Sequence, residues 1–173
     1  MFGYFTPDVI YNTVYDIDFG SLKEKNIKGL IFDIDNTLVS YKTEKPTENV
    51  NLLMNKLKNE GFAICFISNN NKKRVDIFND EFQFLSFPDA GKPSVKFIKK
   101  ALKIMDLNRE NVVLIGDQLF TDVTAAKRAK IKAILVAPIE PVETLFFRFK
   151  RFMEKPFIKR YYRRVKKNHG GKI

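Results

Sequence analysis

The sequence predicts an α/β protein, a parallel sheet with helices on both faces in a three-layer arrangement. Two observations carry that reading. Short apolar runs of strand length alternate with longer stretches of helical periodicity. The polar residues with chemistry in them also follow directly after the apolar runs, where open α/β sheets place their ligands. A chain of 173 residues, 45% hydrophobic and 13% aromatic, has the size and composition of one domain with a full core.

In chain order, the first strand is predicted over residues 27–32. A helix follows over 48–61, where Val50, Leu53, Met54 and Leu57 recur at i, i+3, i+4 and i+7 and Gly61 supplies a stop. Residues 62–67 form the second strand, and 84–87 a short one. Val95, Ile98, Leu102 and Met105 share one face of a helix over 94–106, with Pro93 at its entrance. A strand over 112–115, a shorter helix over 121–130 and a last strand over 132–136 complete the pattern.

Charge divides the chain unevenly. The net charge is +11, and residues 148–173 carry +10 of it, with eleven Lys and Arg against Glu154. The expected organisation is therefore a body, 1–147, and a basic, aromatic C-terminal tail, 148–173. No apolar run is long enough to span a bilayer. The N-terminal MFGYFTPDVI lacks a positive leader and meets Pro7 and Asp8, so no signal peptide is expected. Cys65 is alone and cannot form an internal disulfide. These features predict a cytoplasmic protein.

The chemistry is concentrated after the strands. In 33-DIDNT-37, Asp33 and Asp35 leave the first strand pointing roughly the same way. Like charges that close need a cation or a proton between them, and Mg²⁺ with its oxygen ligands suits the pair. Asp117, in 116-GDQLFTD-122, offers a third carboxylate. Ser68, Asn69 and Lys92 add a hydroxyl, an amide and an ammonium, donors that suit a phosphate group.

The order 33-DIDNT-37, 68-SN-69, 92-KP-93 and 116-GDQLFTD-122 resembles the four motifs of the haloacid dehalogenase (HAD) superfamily of phosphohydrolases. More narrowly, 5-FTPDVIYNTVYDID-18 and 116-GDQLFTDV-123 look like the YqeG group, the HAD subfamily IIIA phosphatases. That group is similar to phosphatidylglycerophosphate phosphatases. The resemblance implies a Rossmann-like HAD fold. It implies Asp33 as the nucleophile that becomes an aspartyl-phosphate, and Asp35 as the acid and base that moves the proton. Thr37, Ser68, Asn69 and Lys92 would hold the phosphate. Asp33, Asp117 and the backbone carbonyl of Asp35 would ligate Mg²⁺, with Asp122 supporting from behind. HAD enzymes usually carry a cap inserted between motifs. Here 30 residues separate Thr37 from Ser68 and 22 separate Asn69 from Lys92, too few for a cap domain. An open site favours a large or surface-bound phosphate ester.

Blander roles are expected elsewhere. Asn70, Asn71 and Arg74 read as a solvated helix start, 16-DID-18 as a solvated turn, Cys65 as a core thiol, and His169 as part of a frayed tail. In 142–153 an apolar stripe of Val142, Leu145, Phe146, Phe149, Phe152 and Met153 runs at helical spacing, and its plainer reading is a C-terminal helix packing its Phe face on the sheet and ending in a solvated basic tail. Pro156 is expected to interrupt it, and Phe157, Ile158, Tyr161, Tyr162 and Val165 resume it among basic residues. Aromatics mixed with cations suit an anionic membrane surface. The expected activity is thus an Mg²⁺-dependent phosphomonoesterase acting on a phospholipid such as phosphatidylglycerophosphate, peripheral at the inner face of the membrane. The alternatives are an open HAD phosphatase for nucleic-acid ends, nucleotides or phosphoproteins, and a nucleic-acid or ribosome-associated protein in which the tail carries the function. Oligomeric state is left open.

Overall fold

A computed structural model describes residues 2–140 and 145–169. Six strands form one sheet in the order β1-β6-β5-β2-β3-β4, every pair parallel. They are β1 (Val9–Tyr11), β2 (Gly29–Phe32), β3 (Ala63–Ile67), β4 (Leu85–Phe87), β5 (Val112–Gly116) and β6 (Lys132–Val136). The helices are α1 (Phe19–Glu24), α2 (Glu48–Asn59), α3 (Lys72–Asn79), α4 (Lys96–Met105), α5 (Thr124–Ala129) and α6 (Leu145–His169).

Alternation along each strand sends its side chains to two separate cores. From β2, Leu30 and Phe32 join Val50, Met54 and Leu57 of α2 and Val75 and Phe78 of α3. Ile31 joins Ile98, Ala101 and Leu102 of α4 and Ala125, Ala126 and Ala129 of α5 on the other face. Buried from both sides, the central strands read as continuous apolar runs, which is why the sequence marks them so clearly. Thr47 caps α2 by accepting from the Val50 N–H at 3.4 Å, and Gly61, at φ +86°, takes the left-handed turn after it.

Three features differ from expectation. β1 is a three-residue edge strand beside β6, too short and too exposed for period-two patterning to reveal. The helix expected over 121–130 is preceded by a π-helical turn, Leu119–Val123, with α5 beginning only at Thr124. The third concerns the C-terminal segment. α6 runs 25 residues straight through Pro156. An internal proline costs a helix about 3 kcal/mol, yet here docking sustains it: Phe157 and Ile158 pack on the second core, and Glu154 is buried. The basic segment is therefore attached to the body over much of its described length. Beyond Pro156, Phe157 packs edge-on against Phe5, in the N-terminal turn Phe2–Phe5, and Phe120 of the π-helical turn. Val142 and Lys172 lie outside the described residues, as do the side chains of Leu145, Phe146 and His169. The pair in 16-DID-18 does local work: Asp16 accepts from the Thr13 N–H, and Asp18 caps α1 through the Ser21 N–H at 2.9 Å.

Candidate active site

Three strand ends meet at one edge of the sheet. β2 delivers Asp33, whose N–H donates to Ile115 of β5 at 2.9 Å. β3 delivers Ser68, its N–H bonded to Phe87 O at 3.1 Å, and β5 delivers Asp117. All three are buried, as are Thr37, Lys92 and Asp122.

Lys92 sits at the centre. Its Nζ donates to Asp33 Oδ1 at 2.7 Å and lies 2.7 Å from Asp122 Oδ1. The second approach is an ion pair between fully buried groups. Burial works against the Lys92 ammonium, but Asp122 and Asp33 outweigh it and raise its pKa above the ordinary lysine value. The Asp33 carboxyl is raised to about 8: burial contributes most, Lys92 pulls it down, and Asp122 and Asp117 push it up. Lys92 thus keeps its proton, while Asp33 is penalised for its charge.

That penalty is relieved by a cation. Oxygens of Asp33, Asp117 and Asp122 all lie within 4.8 Å of one another, and each residue is buried. Three buried carboxylates against one ammonium leave an excess of negative charge. A hard divalent cation offsets it, and an oxygen-only donor set is what such a cation takes. Asp122, expected to support from behind, has its carboxylate in the same buried cluster as Asp33 and Asp117. Gly116 makes this possible: a Cβ there would lie 2.5 Å from Asp122 Cγ. The Gln118 N–H donates to Asp122 Oδ2 at 3.0 Å and fixes the carboxylate from the other side.

Asp35 is placed apart from the three acids. Its Oδ1 accepts from Arg74 Nη2 at 2.9 Å and Nε at 3.2 Å, and its Oδ2 from Asn70 Nδ2 at 3.2 Å. Arg74 and Asn70, read from sequence as a solvated helix start, hold this acid in position. Arg74 also donates to Thr43 O at 2.8 Å and Glu44 O at 2.6 Å, binding the loop after Asp35 to α3. The signal was available: Asn70 stands just before the N-cap of α3 and Arg74 in its first turn, directly after Ser68. Asn71 does behave as expected, capping α3 through the Arg74 N–H at 3.0 Å.

The remaining residues hold the frame. Thr37 Oγ1 donates to Asp117 Oδ1 at 3.5 Å. Ser68 Oγ accepts from the Asn70 N–H at 3.0 Å. Asn69 spends its amide on Lys92, accepting from its N–H at 2.6 Å and donating to its carbonyl at 3.1 Å. It therefore pins the lysine. Asn36, left-handed at φ 61°, brackets residues 139–140 through its amide and backbone. Sequence reading also missed Glu154, 2% exposed, whose Oε1 accepts from the Leu119 N–H at 2.9 Å at the start of the turn carrying Asp122. As the lone acid among eleven basic residues, it was the exception to explain.

A parallel sheet with acids and a lysine at its carboxyl edge defines a class. A family model described as HAD-hydrolase-like matches residues 89–138, the span that holds Lys92, Asp117 and Asp122. The chain is 35% identical to "Probable phosphatase YqeG" of Bacillus subtilis over 152 residues, 88% of each protein. It is 30% identical over 108 residues to a glyceraldehyde 3-phosphate phosphatase of Pyrococcus furiosus, covering 57% of this chain and 44% of that one. In fold it resembles the cobalt-bound deoxy-D-mannose-octulosonate 8-phosphate phosphatase of Haemophilus influenzae, with a TM-score of 0.53 and 18% identity over 66% of this chain and 70% of that one. The chain belongs to the YqeG family of HAD-like hydrolases.

Proposed function

We propose that this phosphatase is a Mg²⁺-dependent phosphomonoesterase that works through an aspartyl-phosphate on Asp33. The observation that carries this is Asp33 itself: buried, bonded to Lys92, and grouped with two further carboxylates. Asp33 attacks phosphorus as the ester P–O bond breaks, and Asp35 gives its proton to the departing alkoxide. Asp35 then takes a proton from water, which attacks the same phosphorus, freeing phosphate and Asp33. Lys92 holds the nucleophile and offsets charge on the phosphoryl group, with Asn69 fixing its backbone. Thr37 and Ser68 supply hydroxyls around the phosphate. Asp33, Asp117, Asp122 and the Asp35 carbonyl would hold Mg²⁺, which would supply charge stabilisation to the phosphoryl oxygens and to the ionised Asp33 in its buried site.

The substrate we propose is a phospholipid bearing a terminal phosphomonoester, with phosphatidylglycerophosphate the candidate the sequence resemblance suggests. Two features support it. The stretches between motifs hold only α2 with β3 and α3 with β4, so no cap domain closes over the edge. On the outward face of α6, Phe149 and Phe152 are each 64% exposed and Met153 45%, with Lys155, Lys159, Arg160, Arg163 and Arg164 exposed beyond them. Exposed aromatics beside cations suit an anionic lipid surface, whereas nucleic acid needs only the charge. No helix among the described residues is long and apolar enough to cross a membrane, so the association is peripheral. The test is hydrolysis of a panel of phosphate esters, including phosphatidylglycerophosphate in mixed micelles, nucleotides and 5′-phosphorylated oligonucleotides, with Mg²⁺ and with chelator. Fastest turnover of the lipid supports the reading; preference for an oligonucleotide assigns α6 to nucleic acid.

A further inference from the structure

Beside the catalytic edge lies a cleft of about 470 Å³ that the mechanism above leaves unused. Three segments wall it: residues 12–15 after β1, the loop over 37–47, and residues 137–139 after β6. These walls are tied together. The Tyr15 side chain bonds to Thr47, and the Ile139 N–H donates to Asn36 O at 3.1 Å. Thr37 belongs to both places, lining the cleft while its hydroxyl reaches Asp117.

The lining is the informative part. In a chain with net charge +11, no Lys, Arg, Asp or Glu lines this cleft. Val14, Val39, Pro138 and Ile139 give it apolar surface, and Thr13 and Thr43 give it hydroxyls. The ion pair at its margin, Lys42 with Glu140 at 3.2 Å, is self-neutralised. An anionic group placed here would lose hydration without gaining a cation, whereas an uncharged group gains apolar contact and hydroxyl partners.

We propose that this cleft is the leaving-group subsite, and that it receives the uncharged part of the alcohol that adjoins the scissile bond (in phosphatidylglycerophosphate the glycerol unit, with the phosphodiester left outside the cleft). This rests on the phosphatase reading and deepens it. The segment that forms one wall, residues 12–15, follows the edge strand β1, so this N-terminal extension has a specificity role as well as a structural one.

The test compares three alkyl esters of similar leaving ability: methyl phosphate, which has no group to fill the cleft; cyclohexylmethyl phosphate, whose alcohol is uncharged and apolar; and 3-phosphoglycerate, whose alcohol carries a carboxylate. Filling an apolar pocket discriminates by about 10-fold or more, so kcat/KM for the cyclohexylmethyl ester should exceed both others by that factor. In Ile139→Trp, a substitution at an exposed position, that excess should collapse through a rise in KM. An excess that survives the substitution, or equal preference for the anionic ester, overturns the proposal. A second arm needs no turnover: cyclohexylmethyl phosphate is titrated into Asp33→Asn with Mg²⁺ and amide shifts are followed by NMR. Shifts at Thr13, Tyr15 and Ile139 uphold the cleft even if wild type hydrolyses neither these esters nor any of the phosphate-ester panel, which would sink the phosphatase reading instead. Shifts confined elsewhere overturn it.

Discussion

The carboxyl edge of the sheet and the outward face of α6 both concentrate charge, and they handle it in opposite ways. At the edge, Asp33, Asp117 and Asp122 crowd around Lys92 with almost no solvent, each held by a named partner. On α6, Lys155, Lys159, Arg160, Arg163 and Arg164 stand in solvent. Buried charges are strong and must be individually positioned; exposed ones are screened and act together as a field. The first arrangement suits bond making, and the second suits attraction to a surface. Glu154 joins them, an acid on the basic helix that reaches into the turn carrying Asp122.

The largest effect should come from breaking the buried set. Asp33→Asn removes the nucleophile, and loss of kcat by about 10⁴-fold or more is expected with the circular-dichroism spectrum unchanged. Near wild-type turnover would dissolve the contrast, because the edge would then be no more chemical than the helix. Metal removal comes next. Exhaustive chelation should abolish activity, and Asp117→Ala and Asp122→Ala should each raise the Mg²⁺ requirement by about 10-fold or more. An effect at Asp117 alone would return Asp122 to the supporting place the sequence suggested.

Glu154 sharpens the comparison at an intermediate level. Glu154→Gln keeps the shape but removes the charge from the bond to Leu119, and about 1–3 kcal/mol of stability should go with it. A structural role alone ends there. If the helix also sets the turn that carries Asp122, the Mg²⁺ requirement should rise too, while Lys155→Gln on the same helix leaves it unchanged.

The exposed set should give the smallest individual effects. Lys159→Gln and Arg163→Gln should each weaken binding to anionic vesicles by about 1 kcal/mol, additively, and lose that effect on neutral vesicles. Hydrolysis of a soluble ester should not change. A single substitution that eliminated vesicle binding would mean α6 uses a positioned site after all.

What the sequence made legible follows the same division. β2, β3, β5 and β6 were readable because strands covered on both faces must be apolar throughout. β1 was not, being three residues long and half exposed. Asp33, Lys92 and Asp117 stood out because each follows a strand or a Pro-marked loop in a fixed order. The partners of Asp35 did not: Arg74 lies 39 residues away and meets it only through the parallel pairing of β2 with β3. The docking of α6 was hidden by Pro156, where local propensity predicts a break and tertiary packing on Phe5 and Phe120 prevails. Local rules fail where distant segments supply the deciding contact.

The central claim is that Asp33 carries the phosphoryl group, and trapping it is the most direct test. Wild-type protein with Mg²⁺ is mixed with a rapidly hydrolysed ester, quenched in acid, digested and analysed by mass spectrometry. The account predicts one added phosphoryl group on the peptide containing Asp33, accumulating further in Asp35→Asn, where the water is no longer deprotonated, and absent from Asp33→Asn. Steady turnover with no adduct under any quench, or an adduct on a different residue, would contradict it.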